Sequence, residues 1–120
     1  MMKSILKSDY KKLDLIGKAS ELGAITKNDK DDAKVYEKKI GSITNADSSF
    51  AVFRSEKGQY LVEYPFSEHA IVVEGSVIIT DMNTGLSQQY SIGEGWVVEK
   101  GQKVTFEVGE EGFTKVYWAF

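Results

Sequence analysis

The chain has 120 residues, no cysteine, a single histidine and a formal net charge of −3. That length makes one ordinary domain, the lack of cysteine excludes disulfides and thiolate chemistry, and the mildly acidic balance leaves no basic footprint for a phosphate backbone, so nucleic acid is not an expected partner. The opening Met1-Met2-Lys3-Ser4-Ile5-Leu6-Lys7 has no apolar stretch long enough to be read as a signal peptide, and the longest apolar run, Val116–Phe120, is far short of the ~20 residues that span a bilayer. No membrane partner is expected, and with zero cysteine the reading is a cytoplasmic protein.

Taken in chain order, residues 1–48 are mixed in texture and rich in lysine. Lys3, Lys7, Lys11, Lys12 and Lys18 read as a solvated face. One helix is predicted here: Ser8 or Asp9 would cap it, Leu13, Ile16 and Leu22 would give part of an apolar face, and Gly23 would end it, with Gly17 as an interruption. Lys27-Asn28-Asp29-Lys30-Asp31-Asp32 reads as a surface loop.

From Lys34 the period changes to two. The predicted strands are Lys34–Ile40, Ser49–Arg54, Gln59–Tyr64, Glu68–Val73, Val77–Asp81, Gln88–Ile92, Trp96–Glu99, Lys103–Val108 and Phe113–Ala119. Glycine and asparagine mark the turns between most of them, at Gly58, Gly75, Asn83, Gly85, Gly93, Gly101 and Gly112. Short strands at this spacing predict an all-β sandwich or barrel. The only proline, Pro65, falls just past a strand end, where a missing N–H costs no ladder bond. The domain organisation expected is one domain, with residues 1–48 as an arm on a barrel of residues 49–120.

The order of the turns carries a resemblance. Phe53 to Gly58, Tyr64-Pro65-x-x-Glu68, Glu74-Gly75, Thr80-Asp81 with Gly85, Gly93-Glu94, Lys100-Gly101, Thr105-Phe106-Glu107 and Lys115-x-Tyr117 follow one another as in the small single-domain cupins. The chain resembles in particular the group related to ureidoglycine aminohydrolase and the ethanolamine-utilisation cupins. The resemblance implies a cupin-like β-barrel, a double-stranded jelly roll. It also implies a homodimer, with Lys34–Ile40 as the strand to exchange, since pairing covers an open sheet edge.

Metal-bearing cupins hold a divalent metal with two histidines and a glutamate on a first motif and a third histidine on a second, a donor set suited to such ions. Here Glu68 stands at the glutamate position. Val62 and Tyr64 stand where the first two histidines would be, Val104 where the third would be, and Glu99 replaces the usual proline. No metal and no cofactor are therefore expected. His69 does not rescue the site: strand neighbours point to opposite faces, so with Glu68, Ala70 and Val72 inward, His69 faces out beside Ile71 and Val73. Nothing in the spacing puts Glu63 or Glu74 on the face of Glu68.

Other chemistry finds little support. No strand-turn-helix elbow presents a serine beside His69, and Gly93-Glu94-Gly95 leads into Trp-Val-Val, a strand rather than the helix of a phosphate loop. The barrel interior remains. By the motif, Val62, Tyr64, Glu68 and Val104 face it, with Phe106 as a further candidate; Trp96 and Val98 share one parity, which does not fix their face, and Tyr64, Glu68, Trp96 and Phe106 are the candidate ligand-binding residues. A carboxylate desolvated among apolar walls can serve as a general acid or base, which makes Glu68 the catalytic candidate if the protein is an enzyme. Each of these residues also has a plain packing role open to it. Lys115 reads as a surface cap or salt-bridge partner, and Tyr60, Tyr90 and Trp118 as ordinary strand residues.

Three functions follow. The first is a metal-independent binding module for a small polar metabolite. The second is a cupin enzyme acting on a small amine, ureide or sugar derivative through Glu68. The third is a structural or dimerisation module with a filled barrel.

Overall fold

The run Lys103-Val-Thr-Phe-Glu-Val108 shows how the sequence builds the fold: Val104, Phe106 and Val108 are buried while Lys103 and Glu107 are exposed, the alternation of a strand with one face inward. The computed structural model describes residues 2–42 and 48–120. It has ten strands: β1 Asp14–Lys18, β2 Lys34–Ser42, β3 Ser49–Ser55, β4 Gly58–Glu63, β5 Glu68–Gly75, β6 Val77–Asp81, β7 Ser87–Tyr90, β8 Gly95–Val98, β9 Lys103–Val108 and β10 Phe113–Ala119. One sheet runs β1-β2-β3-β10-β5-β8 and the other β4-β9-β6-β7, every pair antiparallel. The two sheets face each other as a cupin-type jelly roll, the all-β barrel predicted. No helix among the described residues is long and apolar enough to cross a membrane.

The nine strands predicted from Lys34 onward all form, with ends shifted by up to two residues. The helix expected between Ser8 and Gly23 does not. Two short 3-10 turns, Lys7–Lys11 and Ala19–Leu22, flank β1 instead. Gly17 explains the break: its φ of 132° is far from helical, and it marks a bulge in the pairing of β1 with β2. Gly23 does end a helical turn, in the left-handed conformation. The segment before Ser48 thus contributes two strands to the six-stranded sheet rather than a helix. β2, the strand expected to exchange, has both edges occupied within its own chain, by β1 and β3.

The core lies between the sheets: Tyr60, Tyr64, Val72, Val77, Ile79, Val98, Val104, Phe106, Val108 and Phe113. Phe106 stacks on Phe113 with centroids 6.4 Å apart and on Tyr60 at 5.4 Å. Burying a side chain of this size contributes roughly 1.5–3 kcal/mol. At one corner of the barrel, Gly75 has a φ of 69°, and a Cβ there would run into the Gly112 carbonyl. Only glycine fits that crossing.

Candidate functional site

β10 lies between β3 and β5, with Lys115 opposite Phe53 on one side and Val72 on the other. Its inward residues are Phe113, Lys115, Tyr117 and Ala119. Of the two roles its sequence position suggested, surface cap or salt-bridge partner, Lys115 takes the second, and does so away from the surface. It is 6% exposed and inside the barrel. Its Nζ donates to Glu68 Oε1 at 2.8 Å and to Oε2 at 3.0 Å. Glu68, at the start of β5, is 1% exposed.

Two further donors reach the same carboxylate. The Tyr64 hydroxyl donates to Oε2 at 2.6 Å and the Trp96 indole N–H at 3.2 Å. Of the four residues predicted to bind ligand, the structure joins Tyr64, Glu68 and Trp96 in one hydrogen-bonded cluster. Phe106 is 3% exposed and walls it, edge-on to Trp96 at 6.2 Å. Around the ammonium stand four rings, with centroids at 5.0 Å (Phe53 and Tyr117), 5.5 Å (Trp96) and 6.0 Å (Phe106). These are cation–π distances, and they partly replace the water lost by the buried charge.

Burial, the Glu68 charge and the hydrogen bond given to it hold the Tyr64 phenol well above its usual ionisation range. Burial does the same for Tyr60, which donates to Ser55 Oγ at 2.9 Å. Tyr117 is also pushed up, first by burial and then by its hydrogen bond to Glu37. All three phenols are donors at neutral pH and not bases.

Glu68, Lys115, Tyr64 and Phe106 line a cavity of about 430 Å³. Its lining also includes Phe53, Tyr60, Val62, Phe66 and Tyr117, Ala19 and Ala24 from the N-terminal segment and Glu37 and Lys39 of β2, and the exposed side chains of Ile16 and Leu22 stand at its mouth. Trp96 turns its other side to a second cavity of about 480 Å³, where β7 and β8 face each other unpaired. Tyr64 borders both cavities, so the Tyr64–Glu68–Trp96 cluster is the partition between them. A hollow of about 490 Å³ beside Tyr36, Arg54 and Glu74 is open surface away from the buried pair.

Sequence reasoning read Lys115 as a surface cap or salt-bridge partner without placing it inside the barrel, and it missed Tyr117, Phe53 and the whole mouth. For Lys115 a signal existed in its parity with Phe113 and Ala119. It was masked because Thr114, Val116 and Trp118 offer an equally apolar alternative face. His69 is exposed and lies opposite Trp118 and Val97, on the outer side. Glu63 is exposed opposite Lys103, and Glu74 accepts from Thr114, so neither joins Glu68.

These residues do not fit the metal of the histidine-bearing cupins. Val62 and Val104, at two of the histidine positions, are direct cross-strand partners and offer no donor. The place beside Glu68 where a cation would sit is held by the Lys115 ammonium. Among the described residues no three His, Cys, Asp or Glu side chains converge.

Comparison with known proteins agrees with this architecture. The structure of a putative ethanolamine utilization protein EutQ from Salmonella typhimurium LT2 is similar with a TM-score of 0.61 and 14% identity, over 72% of this chain and 69% of that one. The EutQ protein of Clostridium difficile gives 0.62 and 19%, over 73% of this chain and 63% of that one, so the chain spans less than two thirds of that protein. The polyketide cyclase RemF from Streptomyces resistomycificus gives 0.64 and 17%, over 99% of this chain and 79% of that one. At such identities the likeness is one of fold. No curated protein sequence matches the chain. The profile of the EutQ-like cupin domain matches residues 45–117, more than half of the sequence, and the chain belongs to that family.

Proposed function

We propose that this protein is a metal-independent module that binds a small polar molecule inside the barrel. The observation that carries the reading is the cavity of about 430 Å³ with the buried Glu68–Lys115 pair in its lining. Ligand sites are mostly apolar hollows with a few placed polar groups. Buried ion pairs are poor stabilisers compared with apolar packing of equal volume, so stability alone is a weak account of this one. A structural module with a filled barrel would leave no such space. The enzyme reading, with Glu68 as acid or base, is weakened because Tyr64, Trp96 and Lys115 already engage both carboxylate oxygens.

A thermal-shift screen of small metabolites on chelator-treated protein tests this. A ligand at 100 times its Kd adds about 2.7 kcal/mol to stability, and the gain should persist without metal. If no compound raises Tm, or if the gain requires restoring a divalent metal, the proposal fails. Elemental analysis of untagged protein is the companion measurement, expected to give well below one equivalent of transition metal.

A further inference from the structure

Three observations narrow the chemistry of the ligand. The first is a count. A carboxylate has about four acceptor positions, and Glu68 already takes four hydrogen bonds, one each from Tyr64 and Trp96 and two from Lys115. Three of the four crowd onto Oε2 and only Lys115 reaches Oε1, so a single acceptor position is left, on Oε1 beside the ammonium. An ammonium has three donors, and among the described residues Lys115 Nζ has no hydrogen-bond partner but Glu68. One N–H remains to meet an acceptor.

The second observation is charge. The cavity is lined by two carboxylates, Glu37 and Glu68, and two ammoniums, Lys39 and Lys115, so its charges cancel. An anion drawn to Lys115 would also approach Glu68, whose oxygens are within 3.0 Å of the same nitrogen. A cation drawn to Glu68 would meet Lys115. Net charge entering this desolvated floor finds no uncompensated partner. The third observation is shape. Six rings, Phe53, Tyr60, Tyr64, Phe66, Phe106 and Tyr117, form most of the wall, and Ile16 and Leu22 extend it to the mouth.

We infer that the ligand is an uncharged, ring-bearing molecule with one hydrogen-bond acceptor, a ketone, amide or ether oxygen, that takes the free N–H of Lys115 while its ring lies among the aromatic wall. Glu68 is then a positioning residue that holds the ammonium. Ile16 and Leu22, which lie before the stretch matched by the family profile, select for the apolar body. The inference rests on the binding-module reading above.

Calorimetric titration with four probes of similar size tests it: acetophenone, acetanilide, benzoate and benzylamine. The two neutral acceptors should bind at least tenfold more tightly than the two ions. Leu22→Ser, a change at a half-exposed mouth position, should weaken the neutral probes several-fold and leave the melting transition intact. The double variant Glu68→Gln/Lys115→Met, which leaves no lone buried charge, should erase the advantage of acetophenone over toluene. Tighter binding of benzoate or benzylamine overturns the inference but leaves the module reading standing. So does failure of all four probes where the metabolite screen finds a charged ligand. Failure of probes and screen together removes both. Neutral probes that bind with no response to Leu22→Ser or to the double variant also overturn it, since they would then sit elsewhere.

Discussion

Lys115 and Glu68 answer to each other at the scale of single residues. Removing one partner of a buried ion pair leaves an uncompensated charge and costs about 3–5 kcal/mol, whereas removing both is often close to neutral. Lys115→Met is therefore expected to lower the urea midpoint far more than Glu68→Gln/Lys115→Met, and a double-mutant cycle reads the coupling. Equal losses in the single and double variants would show that packing, not charge, sets the cost. His69→Ala should change stability by no more than about 0.5 kcal/mol, as for an exposed site, and should leave ligand binding untouched. The buried phenols of Tyr60 and Tyr64 and the half-buried phenol of Tyr117 have raised ionisation in the fold. The sign follows from proton counts. Above the ordinary phenol value of 10.0 the unfolded chain loses these protons while the folded chain keeps them, so the folded state binds more protons and its stability falls as pH rises. In a pH titration followed by phenolate absorbance, these three tyrosines should ionise only together with alkaline unfolding, while an exposed phenol titrates earlier. Ionisation of all the phenols in one step near the ordinary value, with the fold intact, would show that the three are not shielded.

Single strands show where local pattern was enough and where it was not. Alternation located β4, β5, β6 and β9 closely, because each buries one face and leaves the other more open, which fixes its period, whereas β3 and β10, partly covered on both faces, were located by their apolar runs and flanking turns. The N-terminal segment misled. Leu13, Ile16 and Leu22 have helical spacing, but Leu15 and Ile16 belong to an edge strand, and the choice was made by pairing with β2 rather than by propensity. Turn chemistry was legible, since glycine marks the tight corners. At Gly75 the demand is double, a left-handed φ and contact with Gly112. Gly75→Ala should destabilise by about 1–3 kcal/mol from backbone strain, with a further loss from the collision. Thermal melts would show it, and a change below about 0.5 kcal/mol, the size of an ordinary surface substitution, would mean that the corner relaxes freely.

The whole molecule depends on strands far apart in sequence. β10, at the end of the described chain, sits between β3 and β5 in the larger sheet. Deleting residues 113–120 would open two sheet edges, remove Phe113 from the core and leave Glu68 without its counter-charge. The expected outcome is loss of cooperative thermal unfolding by circular dichroism. A sharp transition in the truncated chain would show that the remaining strands make a core of their own. Because such pairings must close long loops, folding on the millisecond-to-second scale is expected.

The sequence by itself determined the strand pattern, the turns, the jelly-roll class, the inward direction of Glu68 and Tyr64 and the outward direction of His69. The strands from Lys34 onward and the turns follow from local period and glycine placement; the jelly-roll class and the inward direction of Glu68 and Tyr64 are what the resemblance to the cupins implied, and the outward direction of His69 followed from that by strand parity. Only the tertiary structure decided that Lys115 reaches Glu68 from a strand 47 positions away, that Trp96 and Tyr64 share one carboxylate oxygen, and that Ile16 and Leu22 form the mouth of the cavity. The physical reason is that a charge is placed by the partner that compensates it, and a cavity by the faces that enclose it. Both are set by which strands lie side by side, and strand order is a property of the folded chain as a whole.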